Sequence, residues 1–377
     1  MSELPFNRPH TTGRELEYVA QAISGGHLSG NGPFTERCCQ WLEARTGTKR
    51  ALLTHSCTGA LEMAALLADV GPGDEVIMPS FTFVSTANAF VLRRATPVFV
   101  DIVPDVLTLD PERVDAAVTP NTKVIVPVHY AGVGAEMDAL MRIASERGLL
   151  IVEDAAQALM SKYRGRPLGS FGSLAAISFH ETKNVISGEG GALLVNDPSL
   201  IDRAEIIQEK GTNRQRFFRG QVDKYTWVDV GSSYPPSEIN AAFLWAQLEH
   251  ADAITARRLE LWERYHDGLE ELERRGSLRR PIIPRESTNN AHMYYVLLPT
   301  IEERSRLISR LDRAGAKAVF HYIPLHSSEA GKRWGRVEGN IAVTDDVSDR
   351  LLRLPLWPDM RDEDVDRIVT VIDDDLA

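Results

Sequence analysis

Asp154 and Lys183 are the two residues whose types and positions best suit a chemical reaction. Asp154 follows the apolar run 149–152 with only Glu153 between, so we expect it at the carboxyl end of a strand, where open α/β sheets bind ligands. An Asp in this position would equally well cap the next helix. Lys183 follows a β-like run at 175–179 and could be a nucleophile that forms a Schiff base, because a partly buried ammonium readily loses its proton. Taken alone, such a lysine is more often a solvated loop residue.

Two further segments could bind a planar phosphorylated ligand. The small residues of 56–60 precede a predicted helix at 61–68, and backbone N–H groups at a helix N-terminus attract phosphate. Ser56 or Thr58 could also be an ordinary N-cap, and the two interpretations are compatible. Phe81 follows the short apolar run 76–78 and could stack on a planar ligand, although core packing is the commoner role of such a residue.

The first half of the chain alternates apolar runs with amphipathic helical patterns. Helices are predicted at 61–68 and 136–147, where the apolar residues recur at helical spacing. Strands are predicted at 76–78, 98–100, 123–130 and 149–152. This alternation predicts a mostly parallel sheet covered on both faces.

The second half has a different pattern. The range 237–274 is predicted to be one long helical region, because it holds a single glycine and no proline. It is followed by a predicted strand at 292–298, a helix at 301–314, a strand-like run at 317–323 and a last helix at 363–373. We therefore predict a large domain at 1–250 and a smaller α+β domain at 251–377, linked by the helix 237–274.

Composition restricts the class of protein. The chain has 377 residues, with 42 Lys and Arg against 53 Asp and Glu, and a net charge of −11. This balance argues against binding to a nucleic-acid backbone or an anionic membrane. Cys38, Cys39 and Cys57 include no C-x-x-C pair, so neither a disulfide framework nor a metal site is expected. With no apolar run of membrane-spanning length and no signal-like N-terminus, we predict a cytoplasmic protein.

Taken together and in this order, the motifs resemble those of a pyridoxal 5′-phosphate (PLP) enzyme. The chain is similar over essentially its whole length to fold-type I aminotransferases, and among them to the DegT/DnrJ/EryC1/StrS family. Within that family it most resembles the dTDP-4-amino-4,6-dideoxygalactose transaminase group. The segments that carry this closer resemblance are 76–92, 124–132, 178–184, 209–227 and 319–326.

The resemblance implies an α/β fold with a mostly parallel seven-stranded sheet and a smaller C-terminal domain. It implies that Lys183 forms a Schiff base with PLP and that Asp154 pairs with the pyridinium nitrogen. Gln157 would reach the cofactor's 3-hydroxyl, and Phe81 would cover the ring. The residues implied at the phosphate are Cys57, Thr58, Ser178 and, from the second subunit of a homodimer, Ser233. Ser233 stands where the family usually has asparagine.

A basic and aromatic segment at 214–227 runs against the acidic average of the chain. Cations beside aromatic rings suit a nucleotide diphosphate, although a solvated surface loop is the simpler interpretation. The family resemblance favours the functional interpretation. The predicted substrate residues are Arg219, Lys224, Tyr225, His321, Tyr322 and His326.

The function implied is transfer of an amino group from L-glutamate to carbon 4 of dTDP-4-keto-6-deoxy-D-glucose. Three alternatives remain at this point: the same chemistry on a 3-keto sugar nucleotide, a PLP-dependent sugar dehydratase, and a non-catalytic sugar-nucleotide sensor. Dehydratases of the family carry His in place of the Schiff-base lysine, whereas this chain has Lys183. The motifs do not choose between an axial and an equatorial amine in the product.

Overall fold

The computed structural model describes residues 3–376, in which strands and helices alternate as the sequence predicts. The strands are β1 (Arg50–Thr54), β2 (Glu75–Pro79), β3 (Thr96–Val100), β4 (Thr122–Ile125), β5 (Leu150–Asp154), β6 (Lys162–Tyr163), β7 (Arg166–Pro167), β8 (Leu174–Ser178), β9 (Gly191–Val195), β10 (Ser287–Thr288), β11 (Tyr294–Leu297), β12 (Val319–Phe320), β13 (Arg336–Val337) and β14 (Leu351–Leu354).

Helices cover both faces of the main sheet and surround a smaller one. They are α1 (Glu15–Ser24), α2 (Pro33–Thr46), α3 (Cys57–Leu67), α4 (Val84–Val91), α5 (Pro111–Ala117), α6 (Met137–Arg147), α7 (Ile201–Gln208), α8 (Arg214–Phe218), α9 (Glu238–Glu249), α10 (Ala251–Gly268), α11 (Glu270–Arg274), α12 (Ile301–Arg313), α13 (Glu329–Trp334), α14 (Ala342–Arg350) and α15 (Asp362–Leu376). No helix in this part of the chain is long and apolar enough to cross a membrane.

The main sheet has the strand order β1-β9-β8-β5-β4-β2-β3-β13. Strands β2, β3, β4, β5 and β8 run parallel, and β9 is antiparallel to both of its neighbours, β8 and β1. Because the carboxyl ends of β5 and β8 meet at one edge, Asp154 and Ser178 lie close together there. The predicted α/β class with a mostly parallel sheet is confirmed.

The predicted count of seven strands is wrong by one. The eighth, β13, pairs in parallel with β3, placing Arg336 beside Val98 and Val337 beside Phe99. The guanidinium of Arg336 also donates to Glu75 at 2.7 Å, which fixes this segment to the sheet. A two-residue strand is too short to show an alternating pattern, so the sequence carried no signal for it.

The predicted single helix at 237–274 is wrong, because three helices occupy this range. His250 separates α9 from α10 and has a backbone ψ of 9°, outside helical values. Leu269 separates α10 from α11 with a ψ of 4°. The break at His250 falls on neither Gly nor Pro, the residues that usually end helices, so the sequence did not reveal it. The break at Leu269 directly follows Gly268, the single glycine that the prediction placed inside the helix.

The C-terminal part has its own sheet, β11-β14-β12, and its own apolar core. The strand-like run predicted at 317–323 is a strand only at Val319–Phe320. The N-terminal segment joins this part, since Leu4 forms a parallel bridge with Ala316 and its N–H donates to Gly315 at 2.7 Å. The division into domains at residue 250 stays a prediction.

Candidate active site

A cavity of about 700 Å³ opens where the carboxyl ends of β5 and β8 face the small C-terminal sheet. Its walls come from α3, α4, the loop after β8, the N-terminal segment and the segments around β12 and β14. The polar and aromatic side chains that line it include Phe6, Asn7, Ser56, Cys57, Thr58, Thr82, Phe83, Ser85, Thr86, Asp154, Gln157, Ser178, His180, Lys183, Glu189, His292, His321, Tyr322 and Arg353.

Asp154 ends β5 and directs its carboxylate into this cavity. Thr86 of α4 donates to Oδ2 of Asp154 at 2.6 Å, and the hydroxyl of Thr86 lies 2.8 Å from that of Thr82. The N–H of Ala156 donates to Oδ1 at 3.2 Å. Both threonines are buried, so this chain of hydroxyls holds the carboxylate in one orientation.

Gln157 is held by partners from two other segments. Its Oε1 accepts a 2.7 Å hydrogen bond from the N–H of Ala131, and its Nε2 donates to the hydroxyl of Tyr322 at 3.2 Å. The loop that carries Ala131 is itself anchored by a fully buried pair, in which His129 Nε2 lies 2.9 Å from Glu153 Oε2. Gln157 therefore connects the large sheet to the C-terminal part of the chain.

Lys183 lies in the loop between β8 and β9. Backbone hydrogen bonds within this loop stabilise its turns, and in one of them the N–H of Lys183 donates to His180 O at 2.9 Å. Among residues 3–376, no carboxylate forms an ion pair with its amine. Burial lowers the pKa of Lys183 below its ordinary value, although Cys57 and Asp154 act in the opposite direction. A larger share of uncharged amine makes it a better nucleophile than a surface lysine.

The N-terminus of α3 supplies the small-residue segment predicted to bind phosphate. Ser56 caps the helix by accepting the N–H of Gly59 at 3.0 Å, and the hydroxyl of Thr58 lies 2.7 Å from that of Ser85. Gly191 of β9 packs directly under this turn, because a Cβ at Gly191 would lie 2.4 Å from the backbone nitrogen of Cys57. Ser178 also lines the cavity.

The structure places Phe83, rather than the predicted Phe81, on the cavity wall. Phe81 is 1% exposed and packs in an aromatic cluster, with its ring centroid 5.0 Å from that of Tyr130 and 5.6 Å from that of Tyr322. Phe83 is 58% exposed and lines the cavity at the start of α4. Both follow the same strand at alternate positions, so sequence position alone did not distinguish the lining residue from the packed one.

Of the three predicted residues near 321–326, two line the cavity. His321 Nδ1 lies 3.1 Å from the hydroxyl of Tyr130, and burial holds the pKa of His321 well below its usual range. Burial has the opposite effect on the phenol of Tyr322, whose pKa it raises. His326 lies outside the cavity lining and instead places Nδ1 2.8 Å from Ser80 Oγ.

The other predicted residues lie outside the cavity of their own chain. Arg219 donates to Glu205 at 2.6 Å, and this hydrogen bond raises the pKa of Arg219. Lys224, Tyr225 and Ser233 are exposed. Any contact that these residues make with a bound substrate or cofactor must therefore involve the site of another subunit or a movement of this loop.

Sequence reasoning missed Thr86, His292 and Arg353. His292 is buried, with Nδ1 3.1 Å from Asn184 Oδ1, and burial holds its pKa well below its usual range. The sequence did carry a signal for Arg353, which lies between leucines in an apolar strand. A charged residue is rarely buried in such a strand without a specific role. Thr86 offered no signal, since a threonine in a helix has many ordinary roles.

The comparisons with known proteins agree with this geometry. The family model for the DegT/DnrJ/EryC1/StrS aminotransferase family matches residues 9–373. The spore coat polysaccharide biosynthesis protein SpsC of Bacillus subtilis (strain 168) is 34% identical over 98% of this chain and 96% of its own. Among solved structures, DesV of S. venezuelae has a TM-score of 0.90 with 32% identity over 99% of this chain and 98% of its own. Spr1654 of Streptococcus pneumoniae, solved in its PMP form, has a TM-score of 0.91 with 27% identity over 99% of both chains.

Fold and cavity together define a PLP-dependent aminotransferase. The chain belongs to the DegT/DnrJ/EryC1/StrS aminotransferase family. The resemblance inferred from the motifs is therefore confirmed at the level of the family, and the predicted cofactor, PLP, is confirmed with it, since Spr1654 was also solved in a PLP form.

The residues of the cavity fit this cofactor. The turn at Cys57 leaves backbone N–H groups free for a phosphate, and Gly191 is the residue that allows this turn to lie so close to β9. The Lys183 amine and the Asp154 carboxylate line the same cavity and can therefore contact one ring from different sides.

Replacing Gly191 with alanine is expected to weaken PLP binding by about 10- to 100-fold, because the new methyl group would displace the Cys57 turn. The dissociation constant can be measured by absorbance titration of the apoenzyme. Gly71→Ala is the matched control, since the nearest atom to its added Cβ lies 4.0 Å away. Unchanged cofactor affinity in Gly191→Ala would show that this turn does not hold the phosphate.

The lowered pKa of Lys183 predicts how cofactor loading depends on pH. Only the uncharged amine attacks an aldehyde, so the rate at which apoenzyme combines with PLP should rise with pH and level off below the ordinary lysine value of 10.5. Stopped-flow absorbance measures this rate, with a simple alkylamine as the control. A rate that keeps rising through pH 10.5 would contradict the prediction.

Proposed function

We propose that this enzyme transfers an amino group from L-glutamate to carbon 4 of dTDP-4-keto-6-deoxy-D-glucose, as a cytoplasmic homodimer. The observation that carries the proposal is the meeting of Lys183, Asp154 and Gln157 with His321 and Tyr322 in one cavity. The first three suit the cofactor chemistry of the family. The last two belong to the segment that most resembles the carbon 4 group, 319–326.

The bound cofactor supplies an electron sink that stabilises negative charge on the carbon next to the reacting nitrogen. We assign Lys183 to hold the cofactor and to move a proton at the carbon that bears the reacting nitrogen. Asp154, fixed by Thr86, would keep the ring nitrogen protonated. Gln157 would orient the ring through its 3-hydroxyl, and Phe83 would take the place at the ring face that the sequence assigned to Phe81.

The C-terminal wall of the cavity suits a sugar. His321 is uncharged at neutral pH because burial lowers its pKa, so it can donate or accept a hydrogen bond without bringing a charge next to Lys183. The hydroxyl of Tyr322 is held at 3.2 Å by Gln157. Neutral hydrogen-bonding groups of this kind suit the hydroxyl and keto oxygens of a deoxy sugar.

The loop 214–230 supports the homodimer. In this loop the Trp227 side chain is 77% exposed and the Phe218 side chain is 62% exposed. Arg214 stacks over Phe218, with its guanidinium carbon 5.1 Å from the ring centroid. Exposed aromatic rings beside cations are typical of protein interfaces. A second subunit would cover these rings and bring Arg219, Lys224, Tyr225 and Ser233 towards its own cavity, as the family resemblance implies.

Replacing Trp227 with aspartate is therefore expected to weaken the dimer and lower the turnover rate at least about 10-fold, because a charge would be buried at an interface. Sedimentation measures the molar mass in solution. Trp334→Asp is the control, at a second exposed tryptophan that lies outside this loop. A variant that stays dimeric and fully active would remove Trp227 from the interface.

One incubation tests the proposed reaction. Enzyme, PLP, L-glutamate and dTDP-4-keto-6-deoxy-D-glucose should give 2-oxoglutarate and a dTDP-4-amino-4,6-dideoxyhexose, whose ring-proton couplings by NMR show whether the amine is axial or equatorial. Turnover only of a 3-keto sugar nucleotide would favour that alternative. Binding of sugar nucleotide without any amino sugar would favour the sensor.

A further inference from the structure

Arg353 is a cation in the cavity that the proposed function leaves without a role. It lies on β14, the middle strand of the small sheet, where it is paired with Tyr295 of β11 and Val319 of β12. Its neighbours Leu352 and Leu354 are buried in the C-terminal core. Because side chains alternate along a strand, Arg353 points to the opposite face and into the cavity.

The guanidinium of Arg353 has few partners. Its Nη2 donates to the carbonyl oxygen of Phe320 at 3.3 Å, and its Nε is buried without a hydrogen bond. Within residues 3–376 it makes no ion pair. The two carboxylates that line the cavity are engaged elsewhere, Asp154 with Thr86 at 2.6 Å and Glu189 with its Oε1 3.7 Å from His180 Nε2.

The N-terminal segment fixes the orientation of this guanidinium. Its central carbon lies 4.7 Å from the centroid of the Phe6 ring, a cation–π contact that restricts the movement of the guanidinium. Phe6 is held in place on both sides, since Leu4 bridges to Ala316 and the Asn7 side chain donates to Glu181 O at 3.2 Å. A flat guanidinium oriented in this way presents two parallel donors, which match a carboxylate.

We propose that Arg353, held by Phe6, binds the carboxylate of the amino-acid donor and so selects the first substrate of the enzyme. The inference rests on the proposed function. A donor's α-carboxylate is attached to the same carbon as the reacting amine, so its binding group must lie close to Lys183. Arg353 meets this condition, because its side chain and that of Lys183 line the same cavity.

The pyrophosphate of a nucleotide sugar is the competing anion for this site. It is attached to carbon 1 of the sugar, across the ring from carbon 4, and it continues into a nucleotide that needs an open path to solvent. Arg353 instead lies over the Phe6 ring, which fills part of the space beside its guanidinium. The observations therefore favour the carboxylate.

The two half-reactions separate these possibilities. In the PLP form of the holoenzyme, Arg353→Gln should raise the KM for L-glutamate by about 10- to 100-fold, as expected for loss of a charge-assisted pair. In the PMP form, the half-reaction with dTDP-4-keto-6-deoxy-D-glucose should be essentially unchanged. Both are followed by the cofactor's absorbance in single turnovers. Arg333→Gln is the matched control, because Arg333 also stacks on an aromatic ring, that of Trp334 at 4.7 Å, but does not line the cavity.

A binding measurement supplies a readout apart from turnover. Glutarate, a dicarboxylate without an amine, should bind the PLP form of the wild type more tightly than Arg353→Gln by calorimetry, and Arg353→Lys should recover part of the difference. Phe6→Leu should raise the KM for glutamate less than Arg353→Gln does, which tests the site even if Arg353→Gln does not fold.

Three results would overturn the proposal: an unchanged glutamate half-reaction in Arg353→Gln, equal losses in both half-reactions, or a loss confined to the sugar half-reaction. Failure of the proposed function itself looks different, because the wild type would then fail in at least one of the two half-reactions with these substrates.

Discussion

Replacing Lys183 with alanine is expected to lower the turnover rate by at least about 10³-fold, because the variant loses both the nucleophile that holds the cofactor and the base that moves the proton. Its fold should be retained, since the amine makes no ion pair among the described residues. Borohydride reduction followed by mass spectrometry should detect PLP bound covalently to the wild type and none bound to the variant.

The control for this experiment is Lys162→Ala, which removes an exposed lysine on the short strand β6. It should keep both the covalent cofactor and the activity. A Lys183→Ala protein that still carried covalently bound PLP at a single site would move the catalytic amine to another lysine.

The second large effect is expected for Asp154→Asn, with a fall in turnover of about 10²- to 10³-fold. An amide has no negative charge, so it cannot hold a proton on the ring nitrogen, and the cofactor becomes a weaker electron sink. Thr86→Val removes only the 2.6 Å hydrogen bond that orients this carboxylate, so its cost should be smaller, about 3- to 10-fold.

Single-turnover absorbance with L-glutamate measures both changes. Asp110→Asn is a suitable control, because Asp110 caps α5 with its side chain and an asparagine serves as well in that position. Wild-type turnover in Asp154→Asn would mean that this carboxylate is not the partner of the ring nitrogen.

The parts of the fold that follow from local patterns were predictable from the sequence. The strands predicted at 76–78 and 98–100 lie within β2 and β3, and the strand predicted at 149–152 overlaps β5, because buried parallel strands are continuous apolar runs. The break at His250 was not, because no residue there disfavours a helix strongly, and Gly268 before the break at Leu269 is a residue that helix interiors also tolerate. Strand β13 was also missed, since its pairing with β3 is set by tertiary contacts rather than by a pattern within it.

The same difference between local patterns and tertiary contacts explains which residues of the site could be predicted. Lys183, Asp154, Gln157 and Ser178 line one cavity, because the ends of β5 and β8 bring them there. Phe83 and Arg353 were missed, because tertiary contacts between segments that are distant in the chain place them on the cavity wall. Arg353 lies far along the chain from Lys183, and only the packing of the small sheet against the loop after β8 puts both on the same cavity.

The pairing of β13 with β3 affects how this protein can be made in a cell. Synthesis proceeds from the N-terminus, so the outer edge of β3 stays unpaired until residues 336 and 337 leave the ribosome. Leu4 likewise has no bridge partner until Ala316 has been synthesised. A nascent chain that already contains most of the main sheet therefore carries an open strand edge, the kind of edge through which chains aggregate. Truncation before residue 336 leaves that edge permanently open, and protection of the nascent chain by chaperones matters most during synthesis of the last third of the protein.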